Sequence, residues 1–121
     1  MYKGNLDAEV IQGLIDLESD GSPGLVAELL GLLLTSAPDA FDAIAAGLAR
    51  GDAAAVSGAA HSLKSSFANL GATELSGLAN EIEAAARKGD LTRAPQQLAA
   101  LRAGFPQVEL ALRELSDSLA R

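Results

Sequence analysis

Leu98, Leu101, Phe105, Val108, Leu112 and Leu115 follow one another at alternating steps of three and four residues. That spacing places all six on a single stripe of an α-helix, and a stripe of that length has to be buried against other helices. Related helical spacings recur along the chain, in Val10, Ile11, Leu14 and Ile15, and in Leu29, Leu30, Leu33, Ala37, Phe41, Ile44 and Leu48. Two further stripes are Val56, Ala60, Leu63, Phe67 and Leu70, and Leu75, Leu78, Ala79, Ile82 and Ala86. No strand pattern competes. Hydrophobic residues make up 49% of the chain but aromatic residues only 3%, so the core is built from Leu, Ile, Val and Ala, which suits close-packed helices. The expected fold is all-α: an antiparallel four-helix bundle with one or two short N-terminal helices.

Punctuation divides the stripes. Asp7 caps a first helix over about 7–18, and Ser19-Asp20-Gly21-Ser22-Pro23-Gly24 breaks the chain before Ser22-Pro23 starts the next helix. The bundle then occupies about 23–118. Pro38 is expected to divide the second stripe, with a break near Ser36 to Asp39. Arg50-Gly51-Asp52 ends that stripe, and Asp52 caps the helix carrying the Val56 to Leu70 stripe. Gly71 supplies a permissive C-terminal cap, Thr73 caps the following helix, and Lys88-Gly89-Asp90 closes it. The last helix begins at Thr92 or Arg93, and Gly104 and Pro106 bend it without ending it, because the stripe stays in phase on both sides.

At 121 residues the chain fits one domain, 1–121. A net charge of −7 with nine scattered basic residues argues against nucleic acid as a partner. Cysteine is absent, which removes disulfides and cysteine-based zinc sites. The apolar run at Leu32 to Leu34 is interrupted by Gly31 and Thr35, so no membrane span is expected. Residues 1–5 lack the apolar region of a signal peptide, and a cytoplasmic location is expected.

His61 is the only histidine. It falls roughly 140° from the middle of its helix's apolar stripe, so it should face solvent. Ala54, Ser57, Gly58, Ser65 and Ala68 surround it on that face, small enough for a large partner to approach the ring. Lys64 follows one turn later, within reach of an anion carried by the imidazole, and the pairing suggests phosphate. Ser65 and Ser66 are candidate auxiliary donors, although Ser66 lies nearer the core edge by helical phase and reads rather as structural. The short turn makes this helix and the next antiparallel neighbours. His61 and Glu83 lie equally far from Ala72 in sequence, so they should sit at one level, where Glu83 can accept the Nδ1 proton and leave the Nε2 lone pair free. The alternative for Glu83 is a solvated surface carboxylate.

The segment His-Ser-Leu-Lys-Ser-Ser-Phe-Ala-Asn-Leu-Gly-Ala, from His61 to Ala72, resembles the signature of histidine-containing phosphotransfer (HPt) domains, His-x-x-Lys-Gly-Ser/Ala followed by a short apolar run and glycine. On that resemblance His61 matches the phosphorylated histidine, Lys64 the phosphate-facing lysine and Gly71 the hairpin glycine. The family often places glutamine or glutamate at the spacing of Glu83. Ser65 departs from the pattern, standing where the family usually has glycine.

The resemblance implies a phosphoryl carrier without kinase activity of its own. Such a carrier works with response-regulator receiver domains or a hybrid sensor kinase, and it needs no cofactor or metal because Mg²⁺ belongs to the receiver. It also implies a partner surface combining Ser57, Gly58 and Ala68 with Ile11, Leu14 or Ile15 of the first helix, and a monomer is expected. A non-catalytic interaction bundle is the competing reading. An independent enzyme fits poorly: no Gly-rich nucleotide loop is present, and a di-iron bundle needs paired Glu-x-x-His motifs that one histidine cannot supply. The residues after His61 also differ from the His-Glu/Asp-Leu-Arg-Thr-Pro pattern of dimerising sensor-kinase domains.

Overall fold

The computed structural model describes residues 6–120; residues 1–5, where the absence of a signal peptide was read, and residue 121 lie outside it. Five helices follow in order: α1 (Ala8–Ser19), α2 (Leu25–Arg50), α3 (Ala53–Asn69), α4 (Thr73–Arg87) and α5 (Ala94–Leu119). α2 packs on α3 and α5, and α4 packs on the same two helices, so the four close into a ring with α1 laid on α2. The stripes of α2, α3, α4 and α5 face the middle of that ring, where Leu33, Ile44, Leu63, Phe67, Ile82, Leu101 and Leu112 are fully buried, and the α1 stripe packs on the bundle from outside. The chain's three phenylalanines meet there: the Phe105 ring lies 5.6 Å from Phe41 and 6.2 Å from Phe67, both edge-on, tying α2, α3 and α5 at one level.

Four expectations need correction. First, α2 runs without a break through Pro38. The ring is on the exposed side of the helix, where water can take the Leu34 carbonyl that proline leaves unpaired, while Leu33, Ala37 and Phe41 continue the buried stripe. Second, α2 starts at Leu25 rather than at Ser22-Pro23. The Glu18 carboxylate, at the end of α1, accepts from the N–H groups of Gly24 and Val26, both at 3.0 Å, and an anion bonded to those first donors fixes the start. Third, Thr73 is the first residue of α4 and Ala72 its cap, because the preceding turn already holds Ala72. Fourth, Leu25–Arg50 is long and apolar enough to cross a membrane, by length and composition alone. Gly31 and Thr35 do not interrupt it once it is counted as one helix. Val26, Leu30, Leu33, Ala37, Phe41 and Ile44 of that helix are spent on the bundle core.

The α3–α4 turn positions everything that follows. Ala72 N–H donates to the Phe67 carbonyl at 2.9 Å and Gly71 N–H to that of Ala68 at 3.1 Å, a Schellman closure that requires the left-handed φ of 76° at Gly71. The N-terminal segment seals the turn: Asp7 N–H donates to the Gly71 carbonyl at 2.7 Å and Leu6 makes an antiparallel bridge to Ala72. A Cβ on Gly71 would stand 3.2 Å from Asp7 N and 3.3 Å from Asp7 O. Asp7 also caps α1, its Oδ1 accepting from Glu9 N–H at 2.9 Å.

Gly71→Ala should therefore destabilise the protein by about 1–3 kcal/mol, from left-handed strain and a backbone contact that cannot yield. Gly104→Ala should stay within about 1 kcal/mol of wild type, because the added methyl meets only the flexible end of Leu75 and alanine favours the helix. Urea denaturation of both variants reads the contrast.

Candidate functional site

α3 is built to display one side chain. Asp52 caps it through Ala55 N–H at 3.1 Å, and Val56, Ala60, Leu63 and Phe67 bury the opposite face. The helix carries no acidic residue, and Lys64 and His61 are its only basic ones. The His61 side chain is 56% exposed, as its helical phase predicts. Gly58, Ser65 and Ala68 around it are exposed, whereas Ser57 and Ser66 are half-buried.

Across the hairpin, Glu83 reaches the same level as His61, but it is no surface carboxylate: its side chain is only 3% exposed. Oε2 accepts from His61 Nδ1 at 2.8 Å, Oε1 accepts from Lys64 Nζ at 2.6 Å, and the Arg87 guanidinium lies 2.8 Å from Oε2. Lys64 therefore rests on Glu83 in this state. The Lys64 ammonium bonded to Glu83 holds its carboxyl below the ordinary 4.5; burial opposes this, and the His61 hydrogen bond and the Arg87 charge add to the lowering. An ionised carboxylate can only accept, so the shared proton belongs to Nδ1, and a neutral ring then carries its lone pair on Nε2.

Arg87 and Ser76 were not singled out in the sequence. Arg87 had a legible signal, the four-residue step from Glu83 on one helix. Ser76 had none: its hydroxyl donates to the Lys64 carbonyl at 2.9 Å across the hairpin, a contact only the fold creates. The first-helix surface needs correction. Ile11 is 0% and Leu14 7% exposed, because α1 turns both into its packing against the bundle, and Ile15 is half-buried. The large apolar side chain exposed near this face is instead Leu32 of α2, at 62%. It borders a notch lined by Leu29, Leu33, Ser36, Ser66, Asn69 and Leu70, on the α2 flank of α3. Among the described residues, no three His, Asp or Glu side chains gather as a metal site.

A carboxyl held below its ordinary value stabilises the fold while it is ionised. The stability advantage of wild type over Glu83→Gln should be constant at pH well above 4.5 and shrink as pH falls through the lowered value. Denaturant titrations across an acidic pH series measure it.

The family model of the Hpt domain matches residues 28–118. Among solved structures, histidine-containing phosphotransfer protein B (HptB) from Pseudomonas aeruginosa PAO1 is similar with a TM-score of 0.80 at 31% identity, covering 94% of this chain and 96% of that one. No curated protein matches the sequence. The matched span runs from α2 to the end of α5 and contains His61, Lys64 and Glu83, and on these grounds the chain belongs to the Hpt domain family.

Proposed function

We propose that this protein relays a phosphoryl group between receiver-domain aspartates through phospho-His61. The observation that carries the reading is the 2.8 Å contact from buried Glu83 to His61 Nδ1, which orients an exposed ring with Nε2 outward. Nε2 attacks the phosphorus of an aspartyl phosphate in line; the N–P bond forms as the P–O bond to the carboxylate breaks, and the aspartate leaves as its anion. The Nδ1 proton stays in place, so the phosphorylated ring is an imidazolium whose positive charge faces Glu83. The transferred group brings about −1.5 to −2 charges. Lys64, 32% exposed, can swing from Glu83 toward it while Arg87 remains on the carboxylate. The return step to a second receiver reverses these movements.

The protein supplies a positioned nucleophile and charge compensation, which is most of what phosphoryl transfer requires. Mg²⁺ is assigned to the receiver and no kinase activity to this chain. A monomer working in the cytoplasm fits this role. Leu32 and its notch, with Gly58, Ser65 and Ala68, replace Ile11 and Leu14 as the receiver's docking surface.

Incubation with a phosphorylated receiver from the same source should label wild type with acid-labile, alkali-stable phosphate and leave His61→Gln unlabelled. Label retained by His61→Gln would place the acceptor elsewhere. Absence of label from folded wild type with every candidate receiver would leave a non-catalytic interaction bundle. Leu32→Glu should raise the receiver concentration needed for half-maximal transfer by about tenfold without lowering the maximal rate or the melting temperature; transfer kinetics against receiver concentration separate the two.

A further inference from the structure

The contacts of Glu83 fix which way the His61 ring opens. Lys64 Nζ and His61 Nδ1 meet the two oxygens of one carboxylate on α4, so α4 lies on the Lys64 flank of α3. The opposite flank faces α2, where Ser66 and Asn69 line a notch with Leu29, Leu32 and Ser36. The two nitrogens of an imidazole point to nearly opposite sides of the ring, so with Nδ1 tied to α4 the Nε2 lone pair opens outward and toward the α2 flank. At ~100° per residue, Lys64 stands about 60° from His61 on the α4 side and Ser65 about 40° from it on the other. The side chain beside Nε2 is therefore Ser65, and its Cα–Cβ bond tilts back along the helix toward His61. Its hydroxyl is uncommitted. Helical hydroxyls often bond to the carbonyl four residues earlier, as Thr35 does to Gly31 at 3.3 Å. Ser65 is exposed and makes no such bond among the described residues. The other serines near the ring are placed differently: Ser57 is half-buried on the α4 side, Ser62 is adjacent in sequence and does not face His61, and Ser66 turns to the notch.

We propose that the Ser65 hydroxyl binds the phosphoryl group carried by His61, donating to an oxygen on the side away from Lys64. Given the relay through phospho-His61, on which this rests, Lys64 meets the group as a charge from the α4 flank and Ser65 as a hydrogen-bond donor from the α2 flank. Residues four apart on a helix have Cβ atoms about 5–6 Å apart, a gap that the ring and a phosphoryl oxygen together bridge. Gly58, one turn earlier on the same flank, carries no side chain, and nothing lies within 4 Å of where its Cβ would stand, so the group has room on its other side. Lys64 must leave Glu83 to reach the phosphoryl group, whereas the Ser65 hydroxyl has no protein partner to give up. Its bond exists only in the phosphorylated state. It therefore stabilises that state alone and shifts the balance between phospho-receiver and phospho-carrier toward the carrier.

The test is the equilibrium partition of label between a phosphorylated receiver from the same source and wild type, Ser65→Ala or Ser65→Thr, with Mg²⁺ present. An equilibrium ratio does not depend on how well the partners dock, so it isolates the contact to the phosphoryl group. Ser65→Ala, at an exposed helical position, should keep the wild-type melting temperature and move the ratio about three- to tenfold toward the receiver. Ser65→Thr, which keeps the hydroxyl, should return the ratio to within about twofold of wild type. A Ser65→Ala ratio equal to wild type overturns the proposal, even if the forward and reverse rates change by one common factor, which is the mark of altered docking. So does a Ser65→Thr ratio as low as that of Ser65→Ala. Label absent from wild type overturns the relay reading and this proposal together, whereas label with an unchanged ratio overturns this one alone.

Discussion

Everything at the His61 face depends on one carboxylate held out of water. Glu83, 3% exposed, is kept ionised by Lys64, Arg87 and His61 converging on its two oxygens. Burial alone would favour its neutral form, and a protonated Glu83 would lose its hold on the Nδ1 proton. The cations that keep it charged are therefore part of the means by which the imidazole is aimed. The arrangement needs α3 and α4 in fixed register, and that register comes from the Gly71 turn and the N-terminal segment sealed against it. A backbone hydrogen bond from Asp7 thus bears on the orientation of a side chain more than fifty positions later, through the hairpin that both share.

The Glu83 cluster also shows how one set of charges can serve two states. With an unmodified ring, Lys64 and Arg87 neutralise the carboxylate. In the proposed relay the ring itself becomes a cation facing Glu83 after transfer, and Lys64 is then surplus there as a new anion arrives beside it. The cations that meet the added charge of the phosphoryl group are already within a few ångströms, which keeps the reorganisation small in the proposed relay. This is consistent with a carrier whose two directions of transfer must both be accessible.

Most of the fold was legible because helical phase and glycine punctuation are local properties. The placing of the α3–α4 turn at Gly71, the outward pointing of His61 and the meeting of His61 with Glu83 follow from helical phase and from counting residues around that turn. Three features did not follow, because tertiary packing decided which faces and ends of the helices were used. Glu18 reached from one helix to start the next, overriding the Ser22-Pro23 signal. Pro38 lay on the solvent side of a helix whose buried stripe continued past it. Ile11 and Leu14 were turned inward by packing on α2, so periodicity showed that α1 had an apolar face but not what covered it. The burial of Glu83 belongs with these: its level was countable, its desolvation was not.

In a chain of net charge −7, α3 has no acidic residue. The proposed relay brings an aspartyl phosphate to this protein, so approaches of that anion to the acidic faces are repulsive, and the α3 face is the gap in that field. The acidic remainder then acts as an orientation filter: encounters on the wrong face are turned away before contact, and productive ones are selected by direction before any side chain packs. Salt weakens both the repulsion and the selection, since the two have the same origin.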